Sequence, residues 1–159
     1  MTKAQGQNET ETLIQLASDL DGETDRALGI VASAHLEYLL QRFLSLTLKV
    51  PTLEAGKFLF ESPNAPLGSL SAKIEFARLF QLLSGDETYD LNLIRKIRNE
   101  FAHKLIGTSF GTQSIKNRCA ELKNARIGGD PGTARERFKK AAIRLIVEIT
   151  LKIKTAEKS

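Results

Sequence analysis

Leu93-Ile94-Arg95-Lys96-Ile97-Arg98-Asn99-Glu100-Phe101-Ala102-His103 is the stretch whose pattern decides how the rest of the chain folds. Rotated by the α-helical step of about 100 degrees per residue, Leu93, Ile94, Ile97, Phe101 and the nearby Leu105 gather on one side and mark a core face. Arg95, Asn99 and His103 are four apart and form a polar stripe on the opposite side. Arg98 falls at the edge of the apolar face, about 140 degrees from His103 by the same rotation. In one straight helix those two side chains do not easily touch. A joint site needs a kink, the reach of the arginine side chain, or a second copy of the helix across a two-fold axis.

The same three-and-four spacing recurs outward from this segment. Over 25–48 apolar residues fall at Leu28, Val31, Leu36, Leu39, Leu40, Phe43, Leu44 and Leu48, which predicts a long helix closed by Pro51. A short helix fits 52–60, and 63–68 is a turn-rich connector with two prolines and a glycine. Ser69 or Ser71 offers an N-cap to a helix over 72–83, which Gly85 ends. Asp90 then caps a helix over 91–106, stopped by Gly107. After a helix over 113–123 and the loop 128–132, Thr133 and Glu136 form a capping box for a final helix to about Lys154. No segment alternates as a strand does. The expectation is one all-α domain over 11–154, a helical bundle of five to seven helices, with disordered tails at 1–10 and 155–159.

A chain of 159 residues can bury a single sizeable core, and its 42% hydrophobic and 26% charged content is that of an ordinary globular protein. Its apolar runs are too short to span a bilayer. The first ten residues carry Lys3 and Glu9 with no apolar stretch behind them, so no secretory signal is read and a cytoplasmic location is expected. Cys119 stands alone and reads as a small packing residue. With one cysteine and His35 far from His103 in the chain, neither a metal nor a cofactor is expected. Pro66-Leu67-Gly68-Ser69 reads as a connector and lacks the following Lys-Ser or Lys-Thr of a phosphate loop.

The net charge of +4 is unevenly spread: residues 1–25 hold one Lys against six acids, and residues 116–159 hold twelve Lys or Arg against five. Arg135, Arg137, Lys139 and Lys140 could contact nucleic-acid phosphates, or could simply form the solvated face of a terminal helix. The sharper chemistry lies in Arg98, Asn99 and His103. A guanidinium can grip a phosphate by two parallel bonds and an imidazole can move a proton near neutral pH, a combination that suits RNA cleavage. It equally suits a structural polar cluster. His35, among Val31, Ala34 and Leu39, reads as a half-buried helix residue, and Arg26 beside Asp25 as a helix-start ion pair.

Arg98-Asn99-Glu100-Phe101-Ala102-His103 resembles the arginine-to-histidine signature of the HEPN superfamily, all-helical domains found in bacterial and archaeal toxins and defence proteins. Asp25-Arg26-Ala27, Ile30-Val31, Leu36-Glu37, Leu59-Phe60, Pro66 through Ile74 and Leu93 through His103 look like the mannitol operon repressor family. Ser109-Phe110 and Asn117 through Leu122 extend the likeness, which covers roughly residues 24–124. The mannitol resemblance implies a bacterial cytoplasmic transcriptional regulator. No helix-turn-helix is evident, so a repressor of this kind would act through a protein partner, through nonspecific basic contacts, or through RNA. The HEPN resemblance implies instead a metal-independent endoribonuclease acting on RNA, with His103 as general base, Arg98 stabilising charge on the phosphate and Asn99 orienting it, in a composite site between the protomers of a homodimer. Direct DNA binding through the C-terminal basic residues ranks last, because basic side chains give affinity without base reading.

Overall fold

The described residues of a computed structural model, 2–104, 106–130 and 132–159, form seven α-helices and one 3-10 turn, with no strand among them. The elements are α1 (Thr2–Asp21), α2 (Asp25–Thr47), α3 (Leu53–Phe60), α4 (Leu70–Leu79), α5 (Gly85–His103), α6 (Gln113–Glu121), the 3-10 turn (Asn124–Arg126) and α7 (Ala134–Glu157). Helix-starting hydroxyls match the local chemistry. Thr24, Thr52 and Ser69 each accept a hydrogen bond from a backbone N–H in the first turn of α2, α3 and α4, and Thr133 with Glu136 closes the capping box of α7. Leu105, placed on the core face by the rotation, lies outside the described residues, as do Met1 and Pro131.

Three expectations differ from what is found. Helix α7 continues to Glu157, past the expected end at about Lys154, and α1 begins at Thr2. Leu20, 1% exposed, and the half-buried Leu16 pack into the core, and a helix begun there extends cheaply, one bond for each residue ordered. The second difference concerns Gly85, which opens α5 instead of ending α4. Ser84 and Glu87 form a reciprocal capping box around it, and α4 stops at Leu79, ahead of Gln81 at φ 55°.

Asp90 is the third. It sits inside α5, fully buried, and its carboxylate accepts hydrogen bonds from Lys123 N at 2.9 Å and from Asn124 N and Nδ2, both at 2.8 Å. It anchors the start of the 3-10 turn, an element more than thirty residues away, so its cap-like residue type is used across the fold and not locally.

Helices α2 and α7 pack along each other as the spine of the bundle, and α5 lies against α2. Helix α4 joins α2 and α5, α6 and the 3-10 turn lie on α7, and α1 rests against α7 and α2. Phe101, Phe110 and Phe138 form a buried aromatic chain with successive ring centroids 5.1 Å apart, tying α5, the loop before α6 and α7 together. Gly29 on α2 faces the Phe101 ring of α5 directly. A Cβ there would lie 2.5 Å from Phe101 Cδ2, so only glycine lets the ring in. No helix among the described residues is long and apolar enough to cross a membrane.

Two substitutions check this packing. Gly29→Ala forces the Phe101 ring out of place and is expected to cost about 1–3 kcal/mol of unfolding free energy. Asp90→Ala strands three buried donors and is expected to cost about 3 kcal/mol. Urea unfolding measures both, and a change under about 0.5 kcal/mol in either would contradict the packing described.

Candidate functional site

Arg98 and Asn99 do come together, Arg98 Nη1 donating to Asn99 Oδ1 at 3.2 Å. They line a cleft of about 300 Å³ with Arg95 from the same helix, Glu37 from α2, and Gly68, Ser69, Leu70 and Ser71 where the connector enters α4. Glu37 Oε1 accepts from Lys73 Nζ at 2.9 Å, and that lysine side chain is only 3% exposed. Two guanidinium groups thus face a wall whose one carboxylate already has its own cation.

His103 is not among the residues of this cleft. It sits exposed in the last turn of α5, without a hydrogen bond or ion pair among the described residues. The rotation that separates it from Arg98 is kept in the fold: α5 is one uninterrupted helix from Gly85 to His103, and Arg98 lines the cleft while His103 does not.

Other polar residues around the end of α5 are tied into the fold. Arg26 does not pair with its neighbour Asp25; its guanidinium donates to the carbonyls of Phe101 and Lys104, satisfying the open end of α5. Asp25 instead accepts from Phe110 N at 2.9 Å and from Arg135 Nη1 at 2.7 Å. Glu100 accepts from Lys104 Nζ, Ser114 Oγ and Arg118. Burial raises the Glu100 pKa, but the Lys104 and Ser114 hydrogen bonds and the charges of Arg118 and Lys104 outweigh it and hold the group below the ordinary carboxylate value.

The C-terminal basic residues are also engaged internally. Arg135 donates to the carbonyls of Leu20, Asp21 and Glu23 as well as to Asp25, and so caps α1. Arg137 Nε donates to Gly132 O at 2.9 Å, Lys139 pairs with Asp21, and Lys140 Nζ donates to Asp130 O at 2.7 Å. These four side chains therefore each spend at least one donor on the fold itself, and Arg135 spends several. Cys119 is buried, and burial pushes its thiol up to about 12, so it stays protonated and unreactive near neutral pH. Among the described residues no group of three or more His, Cys, Asp or Glu could hold a metal ion.

Glu37, Lys73, Ser69 and Ser71 were not singled out as site residues from sequence. Lys73 carried a usable signal: it is a charge next to Ile74 and between Leu70 and Ala77, on the face of α4 that the spacing assigns to the core. Such a residue needs a partner, and Glu37 supplies it. No protein family, characterised protein or solved structure matches the chain.

The division between tied and untied residues has a measurable form. Arg26→Ala is expected to lower unfolding free energy by about 1–2 kcal/mol, and His103→Ala to stay within about 0.5 kcal/mol of the parent. The opposite order in urea unfolding would mean that His103 holds the fold together.

Proposed function

We propose that the chain is a bacterial cytoplasmic transcriptional regulator of the mannitol operon repressor type, a helical module that acts by docking a protein partner. The observation that supports this is an apolar groove of about 250 Å³ where α1, α2 and α7 meet, lined by Leu16, His35, Ile146, Val147 and Leu151 among others. Leu151 is 52% exposed, and Val31 and Tyr38 stand exposed on α2 one turn to either side of His35. An apolar strip of this size suits the apolar face of a partner helix. Burial lowers the His35 pKa, so its imidazole is mainly neutral at pH 7 and adds no charge to the groove, which Lys154 also borders.

A tagged full-length chain tests this by capturing its partner from lysate of the source bacterium. Tyr38→Asp with Leu151→Asp is expected to abolish capture of the band the parent retains while leaving helical content and the thermal midpoint near the parent's. Retention of the same band by the folded double variant would refute docking at the groove.

The same groove should respond to pH. The folded His35 pKa lies below its unfolded value near 6.5, so the unfolded chain takes up the proton first as pH falls. Stability attached to His35 is present above that value and is lost as pH drops toward the folded pKa. The thermal midpoint is expected to fall between pH 7.5 and pH 5.5, and less steeply in His35→Phe; identical slopes would show that His35 is not responsible.

The ribonuclease reading keeps one supporting observation, the exposed and unpartnered His103, which a second copy of α5 could present to Arg98. Under the favoured reading, structured RNA incubated with the protein at neutral pH in chelator stays intact. Cleavage that disappears in His103→Ala would favour the enzyme over the docking module.

A further inference from the structure

We propose that the cleft between α5 and the start of α4 binds a phosphate monoester. This goes beyond docking at the groove on α1, α2 and α7 and does not depend on it. Arg95 is half-buried, its Nε is sealed from solvent, and its guanidinium has no hydrogen bond or ion pair among the described residues. A buried donor without an acceptor is costly, and folds rarely leave one unless something else supplies the acceptor. Arg98 beside it donates only to Asn99 Oδ1, which leaves most of its five donors open.

The opposite wall adds further donors. Ser69 Oγ accepts from Ala72 N and Ser69 O accepts from Lys73 N, so the first two N–H groups of α4, on Leu70 and Ser71, have no partner within their helix. The Ser71 hydroxyl stands exposed on the same rim, and the Asn99 amide lies across from it. Guanidinium groups and a helix start together are a recurrent way to hold phosphate oxygens.

Charge and size narrow the ligand. Among the described residues Glu37 is the one carboxylate lining the cleft, and Lys73 Nζ, 2.9 Å away, answers its charge. Arg95 and Arg98 therefore leave two positive charges uncompensated, which a monoester dianion matches and a diester, with one charge, leaves half unmet. A volume of about 300 Å³ holds a phosphate and a small organic group, and is at the low end for ligand sites.

The experiment uses the full chain and inorganic phosphate as probe, at pH 7.5 and fixed ionic strength, with dimethyl phosphate as the singly charged comparison. Calorimetry is expected to show saturable binding at one site per chain, at least about tenfold tighter for phosphate than for dimethyl phosphate. In nitrogen-15 spectra the Leu70 and Ser71 amide signals should move on titration. Arg95→Met and Arg98→Met should each weaken binding by about tenfold or more, with Lys140→Ala unchanged. The amide shifts come from the parent protein, so they test the site even if a variant fails to fold.

Absence of saturable binding, phosphate shifts that avoid Leu70 and Ser71, or equal weakening by Lys140→Ala would overturn the proposal. Equal affinity for dimethyl phosphate, or for a short RNA lacking terminal phosphates, would overturn it in favour of a diester backbone. None of these results bears on partner capture at the apolar groove, so the two readings fail separately.

Discussion

The missing side chain of Gly29 is the constraint on which the arrangement depends. It lets α2 and α5 approach until the Phe101 ring fills the space a Cβ would take, and Phe101 in turn joins Phe110 and Phe138 in the core. Arg26, three residues before Gly29 on α2, then reaches the carbonyl end of α5. With α5 fixed both at Phe101 and at its last turn, its rotation about its own axis is set. Arg98 and Asn99, close to Phe101 in that helix, are thereby directed toward Glu37 and the start of α4, while His103 is left outside the cleft.

The cationic side chains divide into two groups by what lies within reach. Arg26, Arg118 and Arg135 each have a carbonyl or carboxylate from another segment, Arg137 has the Gly132 carbonyl just before its own helix, and all four hold helix ends or loops. Such contacts satisfy backbone groups that a helix terminus leaves open and join distant segments, the role expected of a forked donor. Arg95 has no partner among the described residues and Arg98 donates only to the side-chain oxygen of Asn99, although Glu37 shares their cleft, because Lys73 is already paired with that carboxylate. Two cations side by side in a concavity, one of them without a partner among the described residues, are the feature on which the proposed anion site rests.

Secondary structure was largely legible, because it follows from local rules. The spacing over 25–48, the Thr133 and Glu136 capping box and the core face of Leu93, Ile94, Ile97 and Phe101 each depend on residues within a turn or two of one another. The exceptions were residues whose partners are remote. Asp90 has the right chemistry for a cap but serves Lys123 and Asn124, and Asp25 beside Arg26 pairs instead with Arg135. Gly85 reads as a stop because glycine ends many helices, yet the Ser84 to Glu87 spacing around it is a start signal of equal standing. In the candidate site, the angle between Arg98 and His103 could be derived from helix geometry alone. The company Arg98 keeps could not.

Alone, the order of residues determined that the chain is helical throughout its regular parts, where most helices begin, which faces turn inward, and that Arg98 and His103 point apart on one helix. Those properties follow from the fixed step of the helix and from interactions spanning three or four positions. Only the packed structure decided that Arg135 caps α1, that Lys73 is paired with Glu37, and that Arg95 and Arg98 line one cleft with the start of α4 and without an ion-pair partner among the described residues. Ionic and hydrogen-bond partners are chosen by distance in space, and that distance is set by how closely helices approach, which here rests on a glycine and a phenyl ring seventy-two positions apart.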